Sequence, residues 1–270
     1  MKVTGKVFAV TGGGSGIGRE VVLELLRRGA RVAAIDLRQG GLDGTRERAG
    51  ASAARLTTHT VDVTDVTAVA ALPDAIIAAH GAVDGLLNVA GIIQKFVPFT
   101  ELEVSDIERV LSVNFWGVVT MTRAFLPHLL RRPEAALVNV SSMGAFIPVP
   151  GQTAYGASKA AVKLLTEGLH AELRATPVAV TVVFPGAVAT SITENSGVRA
   201  PAVAGANDNA ANARVLPPGK AAAIIVRGME KGAYRVLVGR DARVMDLFTR
   251  LVPERAMTMI ADKMASLLQR

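Results

Sequence analysis

The feature that most constrains this chain is a glycine-rich turn between a short apolar segment and a helical one. Residues 6–11 are apolar and β-branched, which predicts a buried parallel strand. The turn occupies residues 11–18, and residues 19–28 then show helical spacing with apolar positions on one side. A helix that begins directly after a tight turn presents unpaired N–H groups and a positive dipole end. The sequence therefore predicts a strand, a turn and a helix whose start accepts a phosphate group.

The spacing of the glycines, at Gly12, Gly16 and Gly18, differs from the G-x-G-x-x-G fingerprint of dinucleotide-binding units. Their position between the first strand and the first helix nevertheless favours dinucleotide binding. The second predicted strand ends at Asp36, where such units place an acid that binds the adenosine ribose hydroxyls. A carboxylate there repels a 2′-phosphate, so we expect NAD rather than NADP as the cofactor. Arg38, which could bind that phosphate, keeps NADP open.

Segments with strand and helix character alternate along the rest of the chain. Strands separated by helices imply right-handed crossovers and one parallel sheet that is covered on both faces. We therefore expect a single α/β domain over residues 1–270, with a doubly wound, seven-stranded parallel sheet of Rossmann type and an added C-terminal amphipathic helix. The remaining predicted strands are residues 56–61, 83–89, 136–140, 178–184 and 234–238, and the main helices are 102–130, 152–175, 217–231 and 244–251.

A candidate proton-transfer site follows the fifth predicted strand. Tyr155 and Lys159 are four positions apart on a predicted helix, so they share one face. A tyrosine with a pKa of about 10 needs a shift of roughly three units, about 4 kcal/mol, to act as a base near neutral pH. One cation about 4 Å away supplies about that much at an effective dielectric near 20. Ser142 is placed to hydrogen-bond the substrate oxygen that exchanges a proton with Tyr155. The neighbouring Ser141 is the alternative candidate for this role.

Further motif residues follow these in order along the chain. The full set is Thr11, Gly12, Gly16, Gly18, Asp62, Asn88, Ala90, Gly91, Asn114, Ser142, Tyr155, Lys159, Pro185, Gly186 and Thr190. Taken in order, these residues resemble the motifs of the short-chain dehydrogenase/reductase family. One position departs from the family pattern, because Val89 stands where the family usually has a second asparagine, and we expect local repacking there.

The resemblance implies an NAD(P)-dependent oxidoreductase that transfers a hydride between nicotinamide and a secondary alcohol or ketone. In that scheme Tyr155 is the general acid/base and Ser142 orients the substrate oxygen. Lys159 lowers the pKa of Tyr155 and holds the nicotinamide ribose, and Asn114 supports a proton relay through water. The cofactor-binding residues that it implies are Gly12, Ser15, Gly16, Ile17, Gly18, Asp36, Asp62, Val63, Asn88, Ala90, Gly91, Tyr155, Lys159, Pro185, Gly186, Val188 and Thr190.

The segment after the sixth predicted strand is where we expect substrate choice to lie. Residues 198–216 are rich in Ala, Asn, Gly and Pro and lack periodicity, and loops of that length are lids or disordered. We expect residues 190–230 to close over a small-molecule alcohol or ketone as a substrate lid. We expect residues 253–270 to form a C-terminal helical extension. Its methionine-rich stripe would pack on the body or a second subunit, line a lipophilic pocket, or contact a membrane surface.

Composition excludes several other classes of function. The net charge is +7, but the basic residues are scattered, so we expect a solvated surface and no nucleic-acid binding. The absence of cysteine excludes disulfides and thiolate metal sites, and the histidines share no ligand spacing, so we expect no metal. No apolar run is long enough to span a bilayer, and the first strand begins too early for a signal peptide. We therefore expect a cytoplasmic enzyme without a membrane segment.

Small residues on the helix that carries Tyr155, together with the resemblance, imply a homodimer or homotetramer. Two other functions stay open. The first is an NADPH-dependent carbonyl reductase of the 3-oxoacyl type, which follows if Arg38 has a greater effect on cofactor choice than Asp36. A non-catalytic dinucleotide-sensing protein is the other alternative, although the intact set of Ser142, Asn114, Tyr155 and Lys159 disfavours it, because a sensor needs no tuned phenol. The hydrophobic C-terminal segment favours a lipophilic substrate.

Overall fold

The computed structural model describes residues 1–199 and 215–264, and these residues form a seven-stranded sheet in the order β3-β2-β1-β4-β5-β6-β7. Every pair of neighbouring strands is parallel, as predicted. The strand order reverses between β1 and β4, and in open parallel sheets ligands bind at the carboxyl ends beside such a reversal. The strands are β1 (Val7–Thr11), β2 (Arg31–Asp36), β3 (Leu56–Thr60), β4 (Gly85–Asn88), β5 (Ala135–Val140), β6 (Val178–Pro185) and β7 (Arg235–Val238).

Helices cover both faces of the sheet, and alternate residues of each strand point to opposite sides. In β1, Phe8 and Val10 pack into one hydrophobic core, whereas Val7 and Ala9 pack into the other. The helices are α1 (Gly16–Arg27), α2 (Gln39–Ala49), α3 (Val66–His80), α4 (Val104–Leu111), α5 (Gly117–Leu129), α6 (Thr153–Glu172), α7 (Ile192–Asn195), α8 (Pro218–Glu230), α9 (Arg240–Leu251) and α10 (Pro253–Met264). These two cores confirm the predicted doubly wound architecture.

The sequence analysis did not anticipate helix α2. Its first half contains Gly40, Gly41 and Gly44, and glycine costs about 1 kcal/mol per residue in a helix relative to alanine. At one of these positions the close packing explains the glycine, because a Cβ on Gly41 would lie 3.0 Å from the carbonyl oxygen of Gly14. The glycines of α2 therefore lower its intrinsic helix propensity, but Gly41 allows the helix to pack closely against the glycine-rich turn.

The long helix predicted over residues 102–130 is interrupted. Helices α4 and α5 are joined by a π-helical turn, Ser112–Trp116, with Asn114 at its centre. Single π-helical turns inside helices occur frequently at functional sites. The interruption therefore falls at the residue of this helix to which the sequence analysis gave a functional role.

A buried chain of polar side chains ties the centre of the sheet to the helices behind it. The Asn88 side-chain amide donates to Asn139 Oδ1 at 2.9 Å and to Thr122 Oγ1 at 3.3 Å. Asn139 in turn donates to Thr166 Oγ1 at 3.0 Å. These bonds connect β4 and β5 with α5 and α6, and so they orient the helix that carries the candidate catalytic residues.

The predicted lid and the C-terminal extension are described only in part, since residues 200–214 and 265–270 lie outside the described residues. Where the description resumes, Leu216 pairs with Val188 beyond the end of β6. Helix α10 packs on α9 and buries Ala256, while Met257 remains 42% exposed. No helix within residues 1–199 and 215–264 is long and apolar enough to cross a membrane.

Candidate active site

A cleft of about 430 Å³ lies at the carboxyl ends of the strands. Of the predicted cofactor-binding residues, all except Asn88 line it, and so do Ser142, Tyr155 and Lys159. Asn88 instead points into the buried polar chain of the core. No residue of α10 lines this cleft, so the described part of the methionine-rich stripe is not a wall of it.

The glycine-rich turn forms a cradle whose backbone lies open to the cleft. Gly12 has φ 70° and Gly16 has φ 50°, a backbone region that L-residues with side chains avoid. A Cβ on Gly18 would lie 2.1 Å from the carbonyl oxygen of Gly12, so only glycine allows α1 to start here. The missing side chains and the helix start match what a dinucleotide pyrophosphate requires.

Two side chains that the sequence analysis did not single out brace this turn. Arg19 donates hydrogen bonds to the carbonyl oxygen of Gly14 and, at 3.0 Å, to Thr45 Oγ1. The Thr45 hydroxyl donates to the carbonyl oxygen of Gly13 at 2.8 Å. Because Thr45 belongs to α2, the helix that was not anticipated, the sequence offered no signal for this contact.

The loop after β4 is tied to β1 by one hydroxyl group. Thr11 Oγ1 accepts hydrogen bonds from the backbone N–H groups of Val89, at 3.0 Å, and Ala90, at 3.1 Å. Val89, the position that departs from the family pattern, packs against the hydrophobic core on one side of the sheet and also lines the cleft. Its side chain therefore adds apolar surface while its backbone keeps the bond to Thr11.

Asp36 is held firmly at the end of β2. Its Oδ2 accepts from the Gly14 N–H at 2.9 Å and its Oδ1 from the Arg38 N–H at 3.0 Å. The Arg38 guanidinium points elsewhere and donates to the carbonyl oxygen of Asn195 at 2.8 Å. The carboxylate thus lines the cleft beside the glycine-rich turn, where the sequence analysis expected an acid for the ribose hydroxyls.

Ser142 and Tyr155 face each other across Gly144. A Cβ on Gly144 would lie 3.4 Å from Ser142 Oγ and 3.5 Å from Tyr155 Cε1. Burial of the phenol raises the pKa of Tyr155, and a side-chain hydrogen bond with Ser142 opposes that rise only in part. Desolvation of the phenol therefore outweighs the hydrogen bond with Ser142, and the lowering of the Tyr155 pKa by Lys159 stays a prediction.

Lys159 is almost fully enclosed, with 3% of its surface exposed. Its Nζ donates to the carbonyl oxygen of Val140 at 3.0 Å, and burial lowers its pKa to about 8. A Cβ on Gly91 would lie 3.1 Å from this Nζ and 3.2 Å from Asn114 Oδ1. The glycine thus leaves room for both polar side chains at one side of the cleft.

The two adjacent serines have different roles in the packing. The Ser141 hydroxyl is buried and donates to the backbone carbonyl oxygen of Lys159 at 2.7 Å. Ser142 Oγ accepts from the Gly144 N–H at 3.0 Å and remains on the cleft wall beside Tyr155. The geometry therefore favours Ser142 over Ser141 as the residue that meets a substrate oxygen.

Asn114 does not line the cleft but supports its wall from behind. Its Oδ1 accepts from the Ile92 N–H at 2.9 Å, and its Nδ2 donates to the Ile92 carbonyl oxygen and to Ser158 Oγ, both at 2.9 Å. The side chain thereby joins the π-helical turn, the loop after β4 and α6. Its role in a proton relay stays a prediction.

A buried glutamine, which the motifs do not include, fixes the start of the catalytic helix. Gln94 Oε1 accepts from the Tyr155 N–H at 3.0 Å, and the Gln152 side chain donates to the Gln94 carbonyl oxygen at 2.8 Å. Gln94 is completely buried. A buried glutamine three residues after Gly91 was the available signal, but nothing in its spacing pointed to Tyr155.

Comparisons with known proteins agree with this geometry. The model of the family described as short chain dehydrogenase matches residues 6–199. A protein of Mycobacterium tuberculosis described as an oxidoreductase, SadH, is 38% identical over 270 residues, covering 97% of this chain and 96% of the relative.

Two solved structures resemble the fold closely, each with 27% identity. A short chain dehydrogenase/reductase from Burkholderia phymatum in complex with NAD has a TM-score of 0.80 and covers 93% of this chain and 96% of its own. A short chain dehydrogenase from Burkholderia cenocepacia J2315 in complex with NADP has a TM-score of 0.79 and covers 96% and 99%, respectively.

The sheet, the glycine cradle and the paired Tyr155 and Lys159 define a nicotinamide-dependent oxidoreductase. This chain belongs to the short-chain dehydrogenase/reductase family. It is an NAD(P)-dependent enzyme of the dehydrogenase/reductase type, which acts on CH–OH groups.

The buried Lys159 predicts a pH-dependent stability. Its pKa falls from 10.5 to about 8 on folding, so between these values the unfolded chain holds a proton that the folded protein has released. Stability of the wild type relative to Lys159→Met should therefore rise with pH across that window, by up to about 1.4 kcal/mol per pH unit. Below pH 8 the difference between the two proteins should become constant.

Urea unfolding of both proteins at pH 7, 8, 9 and 10 measures this difference. Lys163→Met is the matched control, because Lys163 lies on the same helix but pairs with Glu167 at the surface. A difference between the wild type and Lys159→Met that stays flat from pH 8 to 10 would contradict the prediction.

Proposed function

We propose that this protein is an NAD(H)-dependent dehydrogenase/reductase that interconverts a secondary alcohol and a ketone, with a lipophilic substrate. The observation that carries the proposal is the convergence of Ser142, Tyr155 and Lys159 on one wall of a cleft that also contains the glycine cradle and Asp36. When bound, the nicotinamide would accept or donate the hydride. The protein's contribution is then binding, orientation and proton transfer.

The proton moves at the phenolic oxygen of Tyr155. In the direction of alcohol oxidation, the phenolate accepts the substrate hydroxyl proton, and in the direction of reduction, the phenol donates it. Ser142 donates a hydrogen bond to the same substrate oxygen and so fixes its position. The positive charge of Lys159 favours the phenolate, and it offsets part of the cost that burial imposes on that anion.

The preference for NAD rests on Asp36. A carboxylate at the end of β2 accepts hydrogen bonds from ribose hydroxyls and repels a 2′-phosphate. Arg38 is the residue that favours the alternative, an NADPH-dependent reductase of the 3-oxoacyl type. Its guanidinium already has an acceptor in the carbonyl oxygen of Asn195, which supports NAD.

Apolar side chains in the cleft support a lipophilic substrate. Ile92 after β4 and Ile192 of α7 both line it, and apolar surface of this kind favours apolar ligands. We further propose that residues 1–270 act as one cytoplasmic domain, with residues 190–230 as the substrate lid and residues 253–270 as a C-terminal helical extension.

The role of Tyr155 in proton transfer can be tested by a substitution that removes only its phenolic oxygen. Tyr155→Phe should lower turnover by at least about a thousandfold, because general acid/base groups contribute factors of that order. Its affinity for NADH should stay within about twofold of the wild type, since the ring remains in place. Turnover is measured as NADH absorbance with a panel of secondary alcohols, and affinity as NADH fluorescence.

Tyr234→Phe is the matched control, since the sequence contains only two tyrosines and Tyr234 packs on His170 away from the cleft. It should retain wild-type turnover. Turnover of Tyr155→Phe at the wild-type rate would refute the assigned mechanism. A wild type that binds NADH but oxidises no alcohol on the panel would point to the reductase or the sensor.

The carboxylate of Asp36 should set the choice between the two cofactors. Asp36→Ala should weaken NADH binding by about tenfold, the value of a lost charge-assisted hydrogen bond, and should strengthen NADPH binding. Fluorescence titrations with both nucleotides measure the ratio. Asp43→Ala removes a carboxylate that accepts a hydrogen bond from Gln39 on α2, and it should leave the ratio unchanged. An unchanged ratio in Asp36→Ala would assign the preference elsewhere.

We also propose a homodimer or homotetramer built on the helices that carry Asn114 and Tyr155. Trp116, the last residue of the π-helical turn, is 58% exposed and Leu164 on α6 is 69% exposed, and such exposed apolar residues often mark an interface. Trp116→Lys should lower the mass measured by light scattering towards 28.1 kDa. Val66→Lys, an equally exposed apolar position on α3, should not, and a monomeric wild type would overturn the proposal.

A further inference from the structure

The short helix α7 and the residue after it, residues 192–196, lie at the wall of the cleft and are here called the α7 strap. They follow directly from the cleft-lining residue Thr190, and Ile192 and Asn195 line the cleft themselves. Five side-chain hydrogen bonds attach the strap to itself or to other elements. In all five, both the donor and the acceptor are protein groups.

One end of this attachment lies at the adenosine side of the cleft. Arg38, just beyond β2, donates to the carbonyl oxygen of Asn195 at 2.8 Å. The Asn195 side chain donates to Ser15 Oγ in the glycine-rich turn at 2.9 Å. The strap is therefore bonded to the two segments that the dinucleotide must contact, the turn and the end of β2.

The other end of the attachment lies beyond β4, on the opposite side of the cleft. Arg109 of α4 donates to the carbonyl oxygen of Ser196 at 3.2 Å. The Ser196 side chain is buried, accepts from the Ile93 N–H at 3.0 Å and donates to the Ile192 carbonyl oxygen at 2.6 Å. The guanidinium groups of Arg38 and Arg109, which lie on opposite sides of the cleft, thus donate hydrogen bonds to the successive carbonyl groups of Asn195 and Ser196.

We propose that Arg38 and Arg109 form a two-sided clasp that holds the α7 strap over the cofactor and governs the rate at which NAD(H) enters and leaves. The two arginines are positioning residues, and Arg38 acts by holding the strap rather than by binding a 2′-phosphate. This inference rests on the proposed use of NAD(H). The proposal includes closure of the clasp over the empty cleft as well as over the bound nucleotide, so the clasp must open for entry as well as for release.

The clasp has a kinetic signature that direct cofactor contact lacks. Removal of either arginine should raise both the association and the dissociation rate of NADH by about five- to tenfold, the effect of one lost hydrogen bond to a charged donor. The dissociation constant should then change by less than about twofold, since both rates move together. A residue that binds the nucleotide directly would change the dissociation constant and leave association nearly unchanged.

The experiment compares Arg38→Met, Arg109→Met and the wild type by stopped-flow NADH fluorescence, with mixing for association and displacement by excess NAD⁺ for dissociation. Arg46→Met is the matched control, because Arg46 is also exposed but donates to Thr58 on β3, away from the cleft. Arg109 does not line the cleft, so its effect cannot come from direct contact with the nucleotide. NADPH is run in parallel with all four proteins.

Equal acceleration of NADH exchange in Arg38→Met and Arg109→Met, with Arg46→Met unchanged, would support the clasp. Acceleration in only one of them, or in neither, would overturn it. A loss of NADPH affinity in Arg38→Met with unchanged NADH rates would overturn it too and would make Arg38 a phosphate ligand. Failure of the proposed function is distinguishable, because it would show as a wild type without NADH binding or alcohol turnover.

Discussion

The carboxyl edge of the sheet depends on one backbone contact, the approach of Gly18 to the carbonyl oxygen of Gly12. A Cβ at Gly18 would lie 2.1 Å from that oxygen, so α1 can start at the turn only because this position has no side chain. Thr11, the last residue of β1, accepts hydrogen bonds from Val89 and Ala90 and so fixes the loop after β4 relative to the glycine-rich turn. The cofactor cradle and the wall beside Lys159 are therefore positioned by one strand end.

The features that could be predicted from the sequence are the repeating strand and helix patterns and the motifs with fixed spacing. The seven parallel strands and the cleft-lining motif residues were found because strand and helix periods differ and because the glycines and Tyr155 stand at fixed spacings. Helix α2 was missed because Gly40, Gly41 and Gly44 depress its propensity. Its formation depends on packing, since α2 supplies Thr45 to the glycine-rich turn, and propensity carries no information about that contact.

The electrostatics of the catalytic pair show a different kind of limit. From sequence, Lys159 is a cation four positions from Tyr155, and Coulomb attraction alone favours the phenolate. In the structure, burial acts on both groups: it raises the pKa of Tyr155 and lowers that of Lys159 to about 8. Desolvation disfavours each charged form, so both shifts favour the neutral pair over the ion pair. A spacing argument omits this because spacing does not report burial.

Contacts between distant segments were the least predictable part of the site, and Arg38 shows why. Its acceptor, the carbonyl oxygen of Asn195, lies 157 positions away along the chain, and every residue carries such a carbonyl, so no side-chain pattern announces the pair. From sequence alone, an arginine two positions after Asp36 reads as a possible 2′-phosphate ligand. In the fold, the same guanidinium donates to the carbonyl oxygen of Asn195 in α7. A 2′-phosphate would have to replace that oxygen as the acceptor, and the carboxylate of Asp36 would repel it. The residue that kept NADP open thus already has a hydrogen-bonding partner in the α7 strap.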